Sequence, residues 1–202
     1  MSKVSVPSST SNPWKLTTER IVIAGVLAAI TITLGLVPGI GFIPIPNTTG
    51  SATTEHIPTI IGGIIAGPVV GVISGFIFGL VSFLHPGSAA IFKDPLVSIL
   101  PRIFIGLTAW ATFAALVRVN RDVAAAVAGF VGSATNTILV VTMIIVRGYA
   151  PAQVIIPTVI FQATIEAIVA AILTVLLTRA FFILQSRVIR APDEKPRDQL
   201  PY

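Results

Sequence analysis

Long apolar runs separated by short polar breaks occupy most of this chain. The runs cover residues 21–37, 57–84, 96–117, 123–146 and 154–184. Because a helix needs about 20 apolar residues to cross the hydrocarbon core of a bilayer, runs of this length are typical of transmembrane helices. The pattern therefore predicts an all-α fold, that of a polytopic membrane protein.

The number of crossings depends on whether residues 57–84 pass once or reverse at Gly67 and Pro68. With a reversal, ten basic residues of the loops and tails lie on one side, and only Lys93 and Arg147 lie on the other. With a single crossing, the same residues divide five to seven. Basic residues concentrate in cytoplasmic loops, so we predict six transmembrane helices with both termini cytoplasmic. Each arm of the reversal has only about 15 residues, which predicts tilt, local thinning or shielding by protein.

Composition agrees with a membrane protein, since 54% of the residues are hydrophobic and only 10% are charged. Soluble domains carry about 25% charged residues. We expect a cytoplasmic N-terminal segment at 1–20, a single six-helix domain at 21–184, and a cytoplasmic, disordered tail at 185–202. The N-terminal segment is polar and leads into a full-length span, so we predict no removable signal peptide.

Several function classes find no support in the sequence. The net charge of +5 comes from basic residues at span ends and tails, not from a stripe interleaved with aromatics, so nucleic-acid binding is not expected. Cysteine is absent, which removes disulfides and thiolate metal sites. No H-E-x-x-H, G-x-S-x-G or P-loop motif occurs. We therefore predict no enzyme activity, cofactor or metal, and any ATP-driven step requires another chain.

Four polar residues lie inside the apolar runs. Arg102 is the costliest, because a charge at the bilayer centre is penalised by about 2.5–3.5 kcal/mol. Gln162 and Glu166 are four residues apart and share a helix face, and Asn136 has amide groups that need partners in a dry bundle. We interpret the set as a substrate pocket at the outer ends of the fourth to sixth helices. The alternatives are an arginine that snorkels to an interface and a polar clamp between helices.

A second group of polar residues lies at the outer ends of the spans in the predicted topology. Glu55 and His56 begin the second helix, and His85, Lys93 and Asp94 flank the loop after the third. His56 is the strongest candidate of this group, because its ring can both donate and accept hydrogen bonds. Each of these residues could also be an ordinary solvated loop residue.

Four segments of the chain carry a resemblance to a known family. They are EHIPTIIGGIIAGP at 55–68 with the glycines that follow at 71, 75 and 79, DPLVSILPRIFIG at 94–106, GSATNTILV at 132–140, and EAIVAA at 166–171. In this order they resemble the substrate-binding (S) component of energy-coupling factor (ECF) vitamin transporters, of the pantothenate type or a close relative of it. The resemblance covers about residues 20–180. Related sequences often carry Asn where this chain has Gln162.

The resemblance implies six helices and a multi-pass protein of the prokaryotic cytoplasmic membrane. It also implies a complex with a transmembrane coupling subunit and two cytoplasmic ATP-binding subunits. In this family an Ala-x-x-x-Ala motif on the first helix docks the coupling subunit, and Ala24 with Ala28 matches it, extended by Gly25 and Ala29. The implied mechanism is capture of a vitamin at the outer face, closure by outer loops, toppling in the membrane, and resetting by ATP hydrolysis.

The leading hypothesis is therefore an S component that binds a vitamin, with pantothenate as the best candidate. The predicted contacts are His56, His85, Arg102, Asn136, Gln162 and Glu166, with Asn47, Thr48 and Lys93 forming a lid. Arg102 or Lys93 would bind an anionic vitamin through a charge-assisted bond. Alternative substrates are cobalamin, folate, hydroxymethylpyrimidine or riboflavin. Alternative functions are a membrane scaffold that transports nothing, or an intramembrane enzyme pairing Glu166 with a histidine.

Overall fold

The computed structural model describes residues 12–37, 39–44 and 51–188 of a mostly helical protein. Its helices are α1 (Thr18–Leu36), α2 (His56–Ala66), α3 (Pro68–Leu84), α4 (Pro95–Ser98), α5 (Leu100–Leu116), α6 (Arg121–Val146) and α7 (Ala152–Val188). A 3-10 turn, Ala90–Lys93, precedes α4. The predicted lid residues Asn47 and Thr48, residues 1–11 and residues 189–202 lie outside the described part.

Within the described residues, four helical segments are long and apolar enough to cross a bilayer. They are Thr18–Leu36, Pro95–Leu116, Arg121–Val146 and Ala152–Ser186. The helices α2 and α3 are apolar but shorter, with 11 and 17 residues. At the helical rise of about 1.5 Å per residue, α2 is only about 16 Å long. The helix α2 does not need to contact lipid along its length, because ten of its eleven residues are buried by the rest of the protein.

The backbone reverses at Gly67, as the sequence predicts. Gly67 has a φ of +94°, a conformation that glycine adopts without strain, and Pro68 occupies the first position of α3. On either side of this turn, Gly63 and Gly71 both approach Gly106 of α5. The short arms α2 and α3 therefore form an antiparallel pair of helices that packs on α5.

The glycine ridge of α3 is a packing surface within the chain. A Cβ added at Gly71 would lie 2.9 Å from the Gly106 backbone, and one at Gly75 would collide with the Arg102 carbonyl oxygen. At Gly79 the added atom would lie 2.7 Å from the Ile99 backbone. Because small residues allow helix backbones to approach closely, the ridge fixes the position of the first turn of α5.

Between α1 and α2 the chain forms two short strands that the sequence analysis did not predict. Strand β1 (Phe42–Pro44) pairs antiparallel with β2 (Ser51–Thr53), with Phe42 opposite Thr53. A strand of three residues has too few alternating apolar and polar positions to be recognised from the sequence. This stretch is also rich in Gly, Pro, Asn and Thr, which are typical of loops. The all-α prediction is thus correct for the bundle but wrong for this hairpin.

The bundle has two chemically different ends. The hairpin end carries β1 and β2, the end of α1 and the start of α2, where Phe42 stacks on His85 at the end of α3. The turn end carries Gly67 and the start of α1, where the Pro13 carbonyl oxygen lies 2.9 Å from a Cβ built on Gly67. Between them a core of large apolar side chains, including Ile60, Phe78 and Ile105, joins α2, α3, α5 and α6.

Candidate functional site

A small polar cavity lies between α5, α6 and α7 in the half of the bundle that carries the hairpin. Four of the residues predicted for a substrate site line it together: Arg102, Asn136, Gln162 and Glu166. Thr53 of β2 and Phe92 of the 3-10 turn contribute to its walls. The cavity volume is about 50 Å³. The structure thus brings residues from three helices, which the sequence placed in separate spans, to one point.

Arg102 is buried in the first turn of α5 and lacks an acidic partner. It is 3% exposed, and its guanidinium carbon lies 5.3 Å from the Phe78 ring centroid and 5.2 Å from that of Phe92. One terminal nitrogen donates to the Val97 carbonyl oxygen, while Nε has no hydrogen-bond partner among the described residues. Within the described part of the chain, no carboxylate lies within 4.0 Å of it.

The local sequence explains why Arg102 is held in this place. Asp94 caps α4 by accepting a hydrogen bond from the Leu96 amide at 2.9 Å, and Pro95 occupies the first turn of α4. The helix then breaks at Ile99 and restarts as α5, with Pro101 in its first turn. These caps and prolines define helix starts. The break bends the chain so that Val97 and Phe92 both contact the Arg102 side chain.

Glu166 connects α7 to the hairpin instead of pairing with Arg102. Its Oε1 accepts hydrogen bonds from the Thr53 amide and from Gln162 Nε2, each at 2.8 Å. The sequence analysis placed Glu166 in a substrate pocket or, alternatively, in a polar clamp between helices. In the structure its contacts are the backbone of β2 and the neighbouring amide. Movement of the hairpin would therefore change the contacts of a residue in the cavity wall.

Asn136 contributes an unused hydrogen-bond acceptor to the cavity wall. The residue is 6% exposed, and its Oδ1 has no hydrogen-bond partner within the described ranges. A buried polar atom left without a partner costs about 1–3 kcal/mol. The neighbouring Thr135 hydroxyl is satisfied by the Val131 carbonyl at 2.7 Å. An acceptor left open in the cavity wall is available to a bound molecule.

Glu55 and His56 are buried at the start of α2 and do not line the cavity. Neither the Glu55 carboxylate oxygens nor the His56 ring nitrogens form a hydrogen bond with any described residue. Glu55 packs against Gly35 and Gly41, where a Cβ on Gly41 would lie 3.1 Å from Oε1. Its carboxyl group is close enough to Arg102 for the two groups to interact electrostatically. His56 as a substrate contact stays a prediction, although the residue does not line this cavity, and the burial of Glu55 was not foreseen.

His85 lies at the end of α3 and Lys93 in the loop that follows it, and neither side chain lines the cavity. The His85 ring lies 4.7 Å from the Phe42 ring, centroid to centroid. Lys93 Nζ donates to the carbonyl oxygens of Phe83 at 3.1 Å and His85 at 2.8 Å. Lys93 is exposed, and these bonds satisfy carbonyls that the last turn of a helix leaves free. Both were predicted as substrate or lid contacts, which stays a prediction; in this structure Lys93 caps α3 and the His85 ring packs on Phe42.

An ion pair that the sequence analysis missed joins the two loops above the cavity. Arg147 Nε donates to Asp94 Oδ2 at 2.6 Å, and the Tyr149 hydroxyl donates to the same oxygen at 3.1 Å. The Arg147 guanidinium holds the pKa of the Asp94 carboxyl below its usual range. The two residues are 53 positions apart, so neither shows its partner in the local sequence. The pair ties the segment that carries Phe92 to the connection between α6 and α7.

The four small residues predicted for docking do not share one face of α1. Ala24 is 8% exposed and packs against Ile57, Ile61 and other apolar residues in the interior. Gly25 and Ala29 are exposed and Ala28 is half-buried. A Cβ built on Gly25 meets no atom within 4 Å. The outward small surface of α1 is therefore Gly25, Ala28 and Ala29, and Ala24 belongs to the contact with α2.

Comparisons with known proteins agree with this architecture. The family model described as "ECF transporter, substrate-specific component" matches residues 19–178. A solved structure described as "Structure and mechanism of the S component of a bacterial ECF transporter" superposes with a TM-score of 0.61. At 18% sequence identity, the match covers 86% of this chain and 98% of that one. No curated protein matched by sequence.

Proposed function

The chain belongs to the substrate-specific components of ECF transporters, and from this premise we propose that it captures a vitamin at the outer face of the cell membrane. As a member of this family it is a multi-pass, substrate-binding transporter subunit and not an enzyme. Pantothenate is the leading candidate substrate, because it is small and carries a single carboxylate. The alternative substrates are cobalamin, folate, hydroxymethylpyrimidine and riboflavin, and a binding panel must distinguish pantothenate from them.

The observation that carries the proposal is the state of Arg102. A guanidinium that is 3% exposed, lies over two aromatic rings and has no carboxylate at salt-bridge distance among the described residues is costly in the absence of a ligand. A substrate carboxylate would supply the missing charge and form a charge-assisted hydrogen bond. The open acceptor of Asn136 and the carboxamide of Gln162 line the same cavity and could bind the polar middle of the substrate.

Substrate entry requires movement of the hairpin end. The cavity of about 50 Å³ is far below the roughly 300–1,000 Å³ of typical small-molecule sites. Its walls include Thr53 and Phe92, which lie on the two segments between helices at this end. We expect both segments to move away from Arg102 and Glu166 to make room for the substrate.

The membrane topology proposed here has six crossings with both termini cytoplasmic. The hairpin end then faces outward, and the contact between Asp94 and Arg147 agrees with the assignment of Lys93 and Arg147 to the same side. Arg20 donates to the Pro13 carbonyl at 3.0 Å near Gly67, which places this basic residue at the turn end. The excess of basic residues at the turn end is what the positive-inside rule requires of the cytoplasmic side.

We further propose that α1 docks a transmembrane coupling subunit, which in turn works with two ATP-binding subunits. The support is the outward surface of Gly25, Ala28 and Ala29, where a second helix could approach closely. Replacing Ala29 with Leu should abolish co-purification with the coupling subunit while leaving vitamin affinity unchanged. Ala115→Leu, the same change at an exposed alanine of α5, is the control. Retained co-purification of Ala29→Leu would contradict docking at this surface.

Calorimetric titration of the purified protein in lipid nanodiscs with a vitamin panel tests the proposed function. Saturable binding of one member is the expected result, and the absence of any binding would contradict it. Tryptophan fluorescence is a poor readout, because the chain has two tryptophans and these contact each other. The ring centroids of Trp14 and Trp110 are 5.6 Å apart at the turn end, remote from Arg102.

A further inference from the structure

We propose that Glu55 is the internal counter-ion of Arg102 in the empty site and that the carboxylate of the substrate takes its place. The inference rests on the function proposed above, in which Arg102 binds an anion. Glu55 is a positioning residue in this account, because it acts on Arg102 and does not touch the substrate. It competes with an anionic substrate for the guanidinium and leaves an uncharged one unaffected.

Glu55 is the acidic residue of the described chain that is left to balance the charge of Arg102. Three other acidic side chains already accept hydrogen bonds from arginine or glutamine side chains, and a fourth is exposed at the turn end. These are Asp94, Asp122 and Glu166, and Glu19. Glu55 and Arg102, in contrast, interact electrostatically with each other. Because a buried guanidinium is costly without an opposite charge nearby, Glu55 stabilises Arg102 in the empty site.

Glu55 and Arg102 lie beside neighbouring positions on one face of α3. The guanidinium carbon of Arg102 is 5.3 Å from the Phe78 ring centroid. A Cβ added to Gly35 would collide with both the Val81 side chain and Glu55 Oε1, so these two groups are neighbours. Phe78 and Val81 are one helical turn apart, and residues with this spacing share a helix face. The carboxyl group and the guanidinium are therefore near each other, although no salt bridge within 4.0 Å joins them.

Neither carboxyl oxygen of Glu55 is used by the fold. The side chain is fully buried, and both oxygens lack a hydrogen-bond partner among the described residues. Glu55 directly precedes α2 but forms no capping bond with the amides of its first turn, which is a common role for an acidic side chain at a helix start. A buried polar group without a hydrogen bond costs free energy. The charge of Arg102 accounts for a carboxyl group in this position.

The chain connects Glu55 to the hairpin that must move for substrate entry. The Thr53 amide donates to Glu166 Oε1 in the cavity wall at 2.8 Å. The Thr53 hydroxyl accepts a hydrogen bond from the Glu55 amide at 3.2 Å. When the hairpin moves away from Glu166, it therefore displaces the start of α2 as well. The arrival of a carboxylate at Arg102 and the withdrawal of Glu55 are then parts of one movement.

The consequence is a preference that depends on the charge of the ligand. Two anions next to one buried guanidinium repel each other strongly, because the surroundings have a low dielectric constant. The charge of Glu55 therefore lowers the affinity for an anionic substrate and speeds its release. An uncharged molecule of the same shape meets no such competition.

The test measures how the charge at position 55 changes the affinity for two ligands that differ in charge. Pantothenate and panthenol, its uncharged analogue with an alcohol in place of the carboxylate, are titrated by calorimetry into the full chain in lipid nanodiscs. Glu55→Gln removes the charge at nearly constant size, and Glu55→Asp keeps it. Glu19→Gln, the same change at an exposed position in the first turn of α1, is the matched control. Thermal unfolding shows whether each variant is folded.

Glu55→Gln should raise the affinity for pantothenate at least about fivefold, the lower end of typical coupling between two sites, and should slow its dissociation. The affinity of this variant for panthenol should not change. Glu55→Asp and Glu19→Gln should stay close to the wild type with both ligands. An equal or weaker affinity of Glu55→Gln for pantothenate, or the same gain with both ligands, would overturn the inference while the proposed function survives.

A second measurement needs no variant. Experimental structures of the wild-type protein with and without pantothenate should show the Glu55 carboxyl group farther from Arg102 when the ligand is bound. An unchanged distance would refute the exchange of one anion for the other. Binding of uncharged vitamins alone would refute it too, with the proposed function intact, whereas binding of no vitamin would overturn both.

Discussion

The two ends of the bundle treat charged groups in opposite ways. At the turn end, Asp122 and Arg179 form two hydrogen bonds of 2.7 Å and 2.6 Å on the exposed surface. In the hairpin half, Glu55, His56, Arg102 and Asn136 are buried, and each has a polar atom with no partner among the described residues. At the turn end the comparable groups without partners are the neutral hydroxyls of Thr174 and Thr178.

The exposed ion pair at the turn end is an arrangement that stabilises the fold. The buried groups without partners in the hairpin half are an arrangement suited to binding a ligand. An exposed ion pair adds about 0–1 kcal/mol and needs no ligand. Buried groups without partners cost free energy in the absence of a ligand, and such strain is typical of functional sites that trade stability for binding. The hairpin half of the bundle is therefore expected to lose function when its polar groups are removed, whereas the turn end is expected to lose only a little stability.

The largest expected effect comes from removing the buried cation. Arg102→Ala should lower substrate affinity at least about 30-fold, because a buried, hydrogen-bonded charge pair would lose one partner. Arg179→Ala removes an arginine at the opposite end and should leave affinity unchanged. Calorimetry on both variants measures the contrast. Equal affinities would show that the anion is not bound at Arg102.

Gly75→Ala should have the next largest effect, since its added Cβ would collide with the carbonyl oxygen of Arg102. Overpacking of this kind typically costs about 1–3 kcal/mol of the free energy of unfolding, and here it also displaces the first turn of α5. Gly25→Ala on α1 is the control, because its Cβ meets no atom within 4 Å. Thermal unfolding in detergent should show a lower melting temperature for Gly75→Ala alone. An unchanged melting temperature for Gly75→Ala would mean that α3 can move away from α5 at little cost in stability.

Asn136→Leu distinguishes a binding site from a polar clamp between helices. It removes a buried amide oxygen that has no hydrogen-bond partner in the described chain, so the melting temperature should stay the same or rise. Substrate affinity should fall about tenfold with the loss of one hydrogen bond in a dry site. The scaffold alternative predicts the reverse, namely severe destabilisation. Unfolding curves and titrations on the same sample decide between them.

The smallest effect is expected from the two ion pairs, which provide a matched comparison. Arg147→Gln should speed substrate dissociation about threefold by releasing the loop that carries Phe92, and Arg179→Gln should not. Because the pKa of Asp94 is lowered in the folded protein, the contact is present above the ordinary pKa of a carboxyl and is lost only as the pH falls below it. This pair should therefore remain intact from about pH 8 to about pH 5. Equal dissociation rates for the two variants would contradict its role.

The sequence predicted the parts of the fold that depend on periodicity and on backbone chemistry. The apolar runs, the reversal at Gly67 and the convergence of Arg102, Asn136, Gln162 and Glu166 follow from span length, glycine conformation and the cost of buried polar groups. The number of membrane crossings, six, and the orientation of the termini stay predictions, because they rest on charge distribution rather than on the geometry of the bundle.

The contacts that the sequence did not predict are those between distant positions. The Asp94 and Arg147 pair, the cap that Lys93 forms on α3 and the bond from the Thr53 amide to Glu166 each depend on how loops fold back. Helical periodicity also could not show that Ala24 turns inward while Gly25 and Ala29 turn outward, because α1 is apolar on all sides. His56 and His85 were chosen for their chemistry, and packing placed them away from the cavity.

The most direct test is an experimental structure of the protein with its bound vitamin. The account predicts the carboxylate of the ligand within hydrogen-bonding distance of the Arg102 guanidinium, beneath Phe92 and beside Asn136, with the hairpin moved from Glu166. A ligand bound elsewhere, with Arg102 still lacking an anionic partner, would contradict it.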